Sequence, residues 1–288
     1  MHNLRGAILM ILSMGFFALE DMFIKRTTET LPIGQIMMVS GLCGFALFSI
    51  VVALLRQSLF PAELLAPAVM LRNGSELLAA LSFFTALSII PLSSAAAILQ
   101  AAPLAVTLLA AVVLGETVGP RRWMAVGIGF VGVLMIVRPG TGAFEPAALL
   151  AVFSVLALAV RDVATRVVPA TLSSMQITQW SFGIFVPAGG ILLLFGPGLQ
   201  PMDAATSLTF VWIVGCGAIG YYAMVMALRM ASLSVIAPFR YSRLLFALAI
   251  GMAVLGERPD TLTLAGACLI IASGLYTLAR ERALFSEA

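Results

Sequence analysis

Charge is what this sequence has least of. Of 288 residues, only 10% are Asp, Glu, Lys or Arg, against about a quarter in a water-soluble domain. That is too little to cover a surface facing water. Histidine is scarcer still. The one present, His2, stands at the terminus, which excludes a Ser/His catalytic pair and an imidazole ligand set. Cys43, Cys216 and Cys268 fall in no C-x-x-C or other metal spacing, and each lies inside an apolar run. They read as packed thiols, neither a disulfide framework nor metal ligands. No segment is long or polar enough to form a soluble domain. The net charge of +3 and pI near 9.0 suit basic loops on one membrane face and give no reason to expect nucleic acid.

What the sequence has is apolar length: 61% hydrophobic residues and a mean hydropathy of +1.10. Ten apolar runs cover 5–24, 33–55, 67–90, 93–114, 121–138, 146–166, 175–195, 207–229, 234–255 and 262–279. Each is near the ~20 residues a helix needs to cross a bilayer. Turn residues separate them, among them Pro91, Pro139-Gly140, Pro169, Gly196-Pro197-Gly198 and Pro259. The first run lacks an A-x-A cleavage pattern and reads as a retained helix. Gly127, Gly129 and Gly132 spell G-x-G-x-x-G inside an apolar run with no strand before it, so no dinucleotide site is expected. No cofactor and no metal are expected.

The tetrapeptide Val-Leu-Gly-Glu occurs at 113–116 and again at 254–257. The same 141-residue offset places Asp21 on Asp162, Gln35 on Gln176, Ser40 on Ser181, and Leu92-Ser93 on Leu233-Ser234. One ungapped register over a whole half implies an internal duplication. Ten runs divide into two fives, and an odd number turns the second copy over in the membrane. The expected fold is therefore all-α and polytopic: ten transmembrane helices in two inverted five-helix repeats, 1–141 and 142–288. Nine Lys/Arg at one set of helix ends against four at the other put both termini in the cytoplasm.

A few charges lie inside the runs, where each costs roughly 2.5–3.5 kcal/mol at a helix centre. Such residues face a cavity or a partner. Arg240 and Arg243 share a helix face, one turn from Pro238, and Arg243 lies about 13 Å deep. They read as a substrate site or a structural pair. Glu76 lies about 12 Å in from the same side. It could complete a zwitterion site, Arg to carboxylate and Glu to ammonium, or merely neutralise an arginine. Gln100 aligns with Tyr241, each near a proline, and both read as cavity lining. Tyr222 is a further candidate, as are Gln176, Gln179 and Trp180 more weakly. Glu20-Asp21 aligns with Arg161-Asp162 near opposite faces. These four read as alternating gates, or as local pairs with Lys25 and Arg166 at i,i+4. Glu116 and Glu257 read as structural, held by arginine or by backbone N–H groups at a helix start. The asymmetric positions mark the site: Arg240 and Arg243 align with Leu99 and Ala102, and Glu76 with Gly217.

Two segments carry a family resemblance: Ala102-Pro103 through 113–116 to Arg138-Pro139-Gly140, and Pro238 through Tyr241-Ser242-Arg243 to 254–257 and Gly274. On them the chain resembles the drug/metabolite transporter superfamily in its EamA-like ten-helix branch. The resemblance implies a multi-pass carrier of the plasma membrane, here the bacterial inner membrane, moving small metabolites by alternating access. It also implies a central cavity among the first, third, fourth, sixth, eighth and ninth spans. The Trp that many members carry in the first helix is replaced here by Phe16 and Phe17. Amino-acid export, of aromatic or broad specificity, is the favoured activity, with the small molecule and the lipid bilayer as the partners of a monomer. The alternatives are an exporter of drugs or nucleosides and an importer of a metabolite such as S-adenosylmethionine. An intramembrane enzyme is remote, because inversion parts Asp21 from Asp162 and the two cannot share a proton.

Overall fold

The computed structural model describes residues 2–113, 120–165, 167–169, 171–230 and 237–286. The first Val-Leu-Gly-Glu glutamate, Glu116, lies outside these residues, as do Leu233-Ser234 and Arg166.

The described chain is helical, with no strand. The first half holds α1 (His2–Thr27), α2 (Ile33–Leu54), α3 (Pro67–Ile89), α4 (Leu92–Leu99), α5 (Ala102–Val113) and α6 (Pro120–Val137). The second holds α7 (Ala147–Thr165), α8 (Ser174–Leu194), α9 (Ala204–Met230), a 3-10 turn (Ala237–Tyr241), α10 (Ser242–Val254) and α11 (Thr261–Ser286). Five stretches are long and apolar enough to cross a membrane by length and composition: Leu4–Thr27, Ile33–Leu54, Ala147–Thr165, Ser174–Leu194 and Ala204–Met224. α3 is as long, but carries Arg72, Asn73 and Glu76.

Local chemistry sets the ends. Pro32 and Pro91 precede α2 and α4, and Pro67 opens α3, positions where a missing N–H costs nothing. Ser173 and Gln176 close a reciprocal capping box on α8. Gly256, at φ 67°, follows α10 in the left-handed conformation that favours glycine. Asp260 caps α11 through Thr263 N (2.9 Å) and pairs with Arg138 at the end of α6. The arginine hydrogen bond, followed by the Thr263 backbone bond, holds the Asp260 carboxyl well below the usual carboxylate range.

The run 93–114, read as one span, is two helices. α4 stops at Leu99 and α5 starts at Ala102. Pro103 cannot donate to the carbonyl one turn back, and its ring restricts the residue before it. In the run 234–255 the described residues open with the 3-10 turn, which passes into α10 at Tyr241, the mate of Gln100.

Helix packing repeats under the 141-residue offset. α1 packs on α9 as α7 packs on α3; α1 meets α10 as α7 meets α4 and α5. α2 pairs with its own mate α8, and α6 with its mate α11. Both mated pairs run antiparallel: Gly34 faces Gly189 while Gly44 faces Phe182, and Gly132 faces Gly266 while Gly129 faces Ser273. Mates that oppose in direction define an inverted repeat. A clasp occurs twice as well. Gln35 donates to Gln200 O and accepts from Gln200 N (both 2.8 Å); its mate Gln176 donates to Ser58 O (2.8 Å) at the other end of the bundle.

The mated pairs close on backbone. A Cβ at Gly34 would stand 2.7 Å from Gly189 O, and one at Gly189 would stand closer still to Gly34 O. Neither carbonyl can move without shifting its helix. We therefore expect Gly189→Ala to destabilise the protein by about 1–3 kcal/mol. Thermal unfolding in detergent checks this, with Gly190→Ala, whose Cβ meets nothing within 4 Å, as the control.

Candidate functional site

The α4–α5 break touches the 3-10 turn that leads into α10. Gln100, at the end of α4, donates its Nε2 to Tyr241 O (3.2 Å) and Arg240 O (3.4 Å). A break frees carbonyls that hydrocarbon cannot satisfy, and a side-chain amide from the opposite repeat takes them. The break in α4–α5 thus meets the 3-10 turn of the opposite repeat.

Charged side chains gather on either side of this point in two groups. In the first, Asp21 on α1 accepts from Arg243 Nη2 (2.6 Å) and Nε (3.2 Å) on α10. The Arg243 guanidinium also lies 5.3 Å from the centre of the Phe17 ring. In the second, Glu76 on α3 takes Arg72 (3.1 Å) from its own helix and Arg161 (3.2 Å) from α7. Arg161 also grips Asp162 (2.7 Å), and Arg72 donates to Ser181 Oγ (2.7 Å) on α8. Each group ties a first-repeat helix to a second-repeat helix.

Several sequence expectations meet different partners. Glu76 does not serve the Arg240/Arg243 pair: its ligands are Arg72 and Arg161, while Arg243 belongs to Asp21. Depth along each helix was readable, but the rotation that selects a neighbour was not. Lys25 does not fold back on Asp21. Its Nζ reaches Ile90 O (2.7 Å) at the α3–α4 elbow. Glu257 accepts from Leu92 N (2.5 Å) and Ser93 N (3.0 Å) on the other side of the same elbow, a helix start as expected, though not the one next in sequence. Tyr241 is buried against Gly274 of α11, its hydroxyl without a hydrogen-bond partner. Tyr222 is 53% exposed, whereas its neighbour Tyr221 is the tyrosine within electrostatic reach of Arg161. Sequence reading passed over Tyr221 and Arg72. A one-residue step turns a helical side chain by about 100°, and Arg72 was counted as a loop-proximal charge.

Two charges stand apart. Among the described residues, Arg240 makes no ion pair; its side chain is exposed within reach of Asp162, Arg161 and Arg243. Glu20 makes no hydrogen bond or ion pair, and feels Asp21 and Arg243. The described residues contain no group of His, Cys, Asp and Glu able to hold a metal.

Paired helical repeats with an interrupted helix at their contact and buried ion pairs between them are the architecture of a class of membrane carriers. The profile of the EamA-like transporter family matches the chain twice, at residues 4–138 and 145–279, and the chain belongs to that family, within the drug/metabolite transporter superfamily. It is 29% identical to a riboflavin transporter of Rhizobium johnstonii over 68% of this chain and 64% of that protein. It is 24% identical to an S-adenosylmethionine uptake transporter of Rickettsia prowazekii over 68% of this chain and 66% of that one. Each of these matches spans less than two thirds of the relative. A pseudopaline exporter of Pseudomonas aeruginosa, 25% identical, aligns over 92% of this chain and 93% of its own length. One crystal structure superposes with a TM-score of 0.64 over 100% of this chain and 99% of the other, at 21% identity, a likeness of fold.

The Asp21–Arg243 pair is buried on the acid side, at 3% exposure. Removing one partner strands the other in a medium that does not solvate it. We expect Arg243→Gln to cost about 3–5 kcal/mol, with most of that recovered in the Asp21→Asn, Arg243→Gln double variant. Thermal midpoints of the four proteins in a double-mutant cycle measure the coupling. Tyr241→Phe removes a buried hydroxyl that bonds nothing, and the same assay should find it as stable as the parent or more so.

Proposed function

We propose that this protein is a secondary carrier that moves small zwitterionic metabolites, amino acids foremost, across the bacterial inner membrane by alternating access. Both termini lie in the cytoplasm, the halves 1–141 and 142–288 rock against each other as a monomer, and export is the favoured direction. The observation that carries this reading is the meeting of the α4–α5 break at Gln100 with the 3-10 turn at Tyr241, with Arg240 exposed beside them. An arginine without an ion pair at a helix interruption is suited to a carboxylate, which it can take through two parallel N–H bonds. Gln100 and Tyr221 border the same region. Glu76, Arg161 and Asp162 form one gate, and Asp21 with Arg243 the other: each bridges the two repeats, so each must loosen when its side opens. Arg243 thereby passes from substrate ligand to gate.

S-adenosylmethionine uptake is the second reading, supported by the Rickettsia relatives. That molecule carries the α-amino and carboxylate groups of methionine, so an arginine site would serve it equally. The riboflavin relatives support a bulkier aromatic cargo, for which the phenylalanines near the site would form the walls.

Counterflow in proteoliposomes separates these readings. Labelled neutral amino acids should exchange across vesicles holding the purified chain, with S-adenosylmethionine and riboflavin in parallel. Absence of flux for the whole amino-acid panel would overturn the proposal. Arg240→Ala should lower amino-acid flux about tenfold or more, the loss of a charge-assisted bidentate contact. Its thermal midpoint should stay that of the parent, because Arg240 neutralises no buried acid.

A further inference from the structure

The α1–α9 and α3–α7 crossings correspond under the 141-residue offset, yet they are filled differently. At α3–α7, Arg161 meets Glu76 at 3.2 Å, and charge closes on charge. At α1–α9, the offset places Glu20 where Arg161 stands and Gly217 where Glu76 stands. The Glu20 carboxyl lies over that glycine: a Cβ built on Gly217 would sit 2.6 Å from Oε1 and 3.2 Å from Oε2. One crossing therefore holds a salt bridge. The other holds a carboxylate facing a position with no side chain.

Among the described residues no partner completes it; the nearby Arg243 charge is held by Asp21. Asp21, the next residue, holds Arg243 through two N–H contacts. Cys216, beside Gly217, is a thiol and supplies no positive charge. Among the described residues Glu20 has no hydrogen bond or ion pair, although an acid within a membrane span ordinarily has a partner. One helical turn away, Phe16 and Phe17 pack over Gly220, 3.2–3.3 Å from where its Cβ would be. Ser13 fastens the crossing there through Gly220 O (2.6 Å). The place thus offers one acidic side chain near the Phe17 ring, whose face also meets Arg243, and an acid near an aromatic ring is suited to an organic ammonium.

We propose that Glu20, whose carboxyl lies over Gly217 where the opposite crossing has a counter-ion, receives the ammonium group of the transported molecule. This rests on the zwitterion reading above and supplies its second half, with Arg240 for the carboxylate and Glu20 for the amine. It also moves Glu20 from gate to ligand. The gate at this crossing is its neighbour Asp21.

Three probes of one skeleton test it on the full-length protein: phenylalanine, phenethylamine with the ammonium alone, and 3-phenylpropanoate with the carboxylate alone. Binding is read by calorimetry in detergent and flux in proteoliposomes. For Glu20→Gln we expect binding of phenylalanine and phenethylamine to fall about tenfold or more, as for loss of a charge-assisted contact, with 3-phenylpropanoate unchanged. The thermal midpoint should hold, since no internal partner is stranded, and Glu20→Asp should restore part of the amine binding. If phenethylamine binds parent and Glu20→Gln alike, or does not bind the parent, Glu20 is not the ammonium site. If phenethylamine binding depends on Glu20 while no amino acid is carried, the ammonium site stands and the amino-acid reading falls. If amino acids are carried but Glu20→Gln weakens all three probes equally, the inference fails and the carrier reading survives.

Discussion

A charge inside hydrocarbon ordinarily has a partner, and two buried acids here take one from the opposite repeat. Asp21 on α1 is met by Arg243 on α10; Glu76 on α3 is met by Arg161 on α7. The covalent order of the chain does not bring these residues together. They are paired because two halves of one design, turned over, interleave. The same constraint governs the backbone. Where α4 stops, an amide from one repeat satisfies carbonyls of the other. The protein is held at its centre by polar bonds between repeats and nearer its faces by glycine contacts that bring α2 onto α8 and α6 onto α11.

Symmetry and its violation divide the work. Residues that repeat under the offset build scaffold: Gln35 and Gln176 each clasp the loop of the partner half, at opposite ends of the bundle. Residues that do not repeat include several of the charges inside the helices. Arg240 aligns with Leu99, Arg243 with Ala102 and Glu76 with Gly217. A site built entirely from repeated residues would look the same from both membrane faces. The departures give it a polarity, with Glu20 and Arg240 lying in different halves of the chain.

The architecture was legible because it is written in identities that survive duplication. Asp21/Asp162 and Gln35/Gln176 fixed the register, and the register implied inversion. The site was legible as a set of residues and illegible as a set of pairs. Rise along a helix follows from counting, so the depths of Glu76 and Arg243 could be estimated. Which neighbour a side chain faces depends on helix rotation and packing, which an apolar run does not encode when lipid and protein interior are equally apolar. Tyr222 and Tyr221 show the scale of the ambiguity, since both are tyrosines and only the second comes within reach of Arg161. Lys25 shows another form of it: its i+4 spacing from Asp21 was correct, and a carbonyl on a different helix took it instead.

The α3–α4 elbow carries a consequence of this last kind. Lys25 on α1 and Glu257 in the loop after α10 grip it, and both hold main-chain atoms: Ile90 O on one side, Leu92 N and Ser93 N on the other. The held residues contribute no side chain to the clasp. Their identities can therefore drift through evolution, and a saturation screen of positions 90, 92 and 93 would score them as tolerant with respect to it. The genetic signature of the clasp would appear only at Lys25 and Glu257, more than two hundred positions apart in the chain. A map of mutational sensitivity would show two isolated peaks and leave the segment between their tips blank.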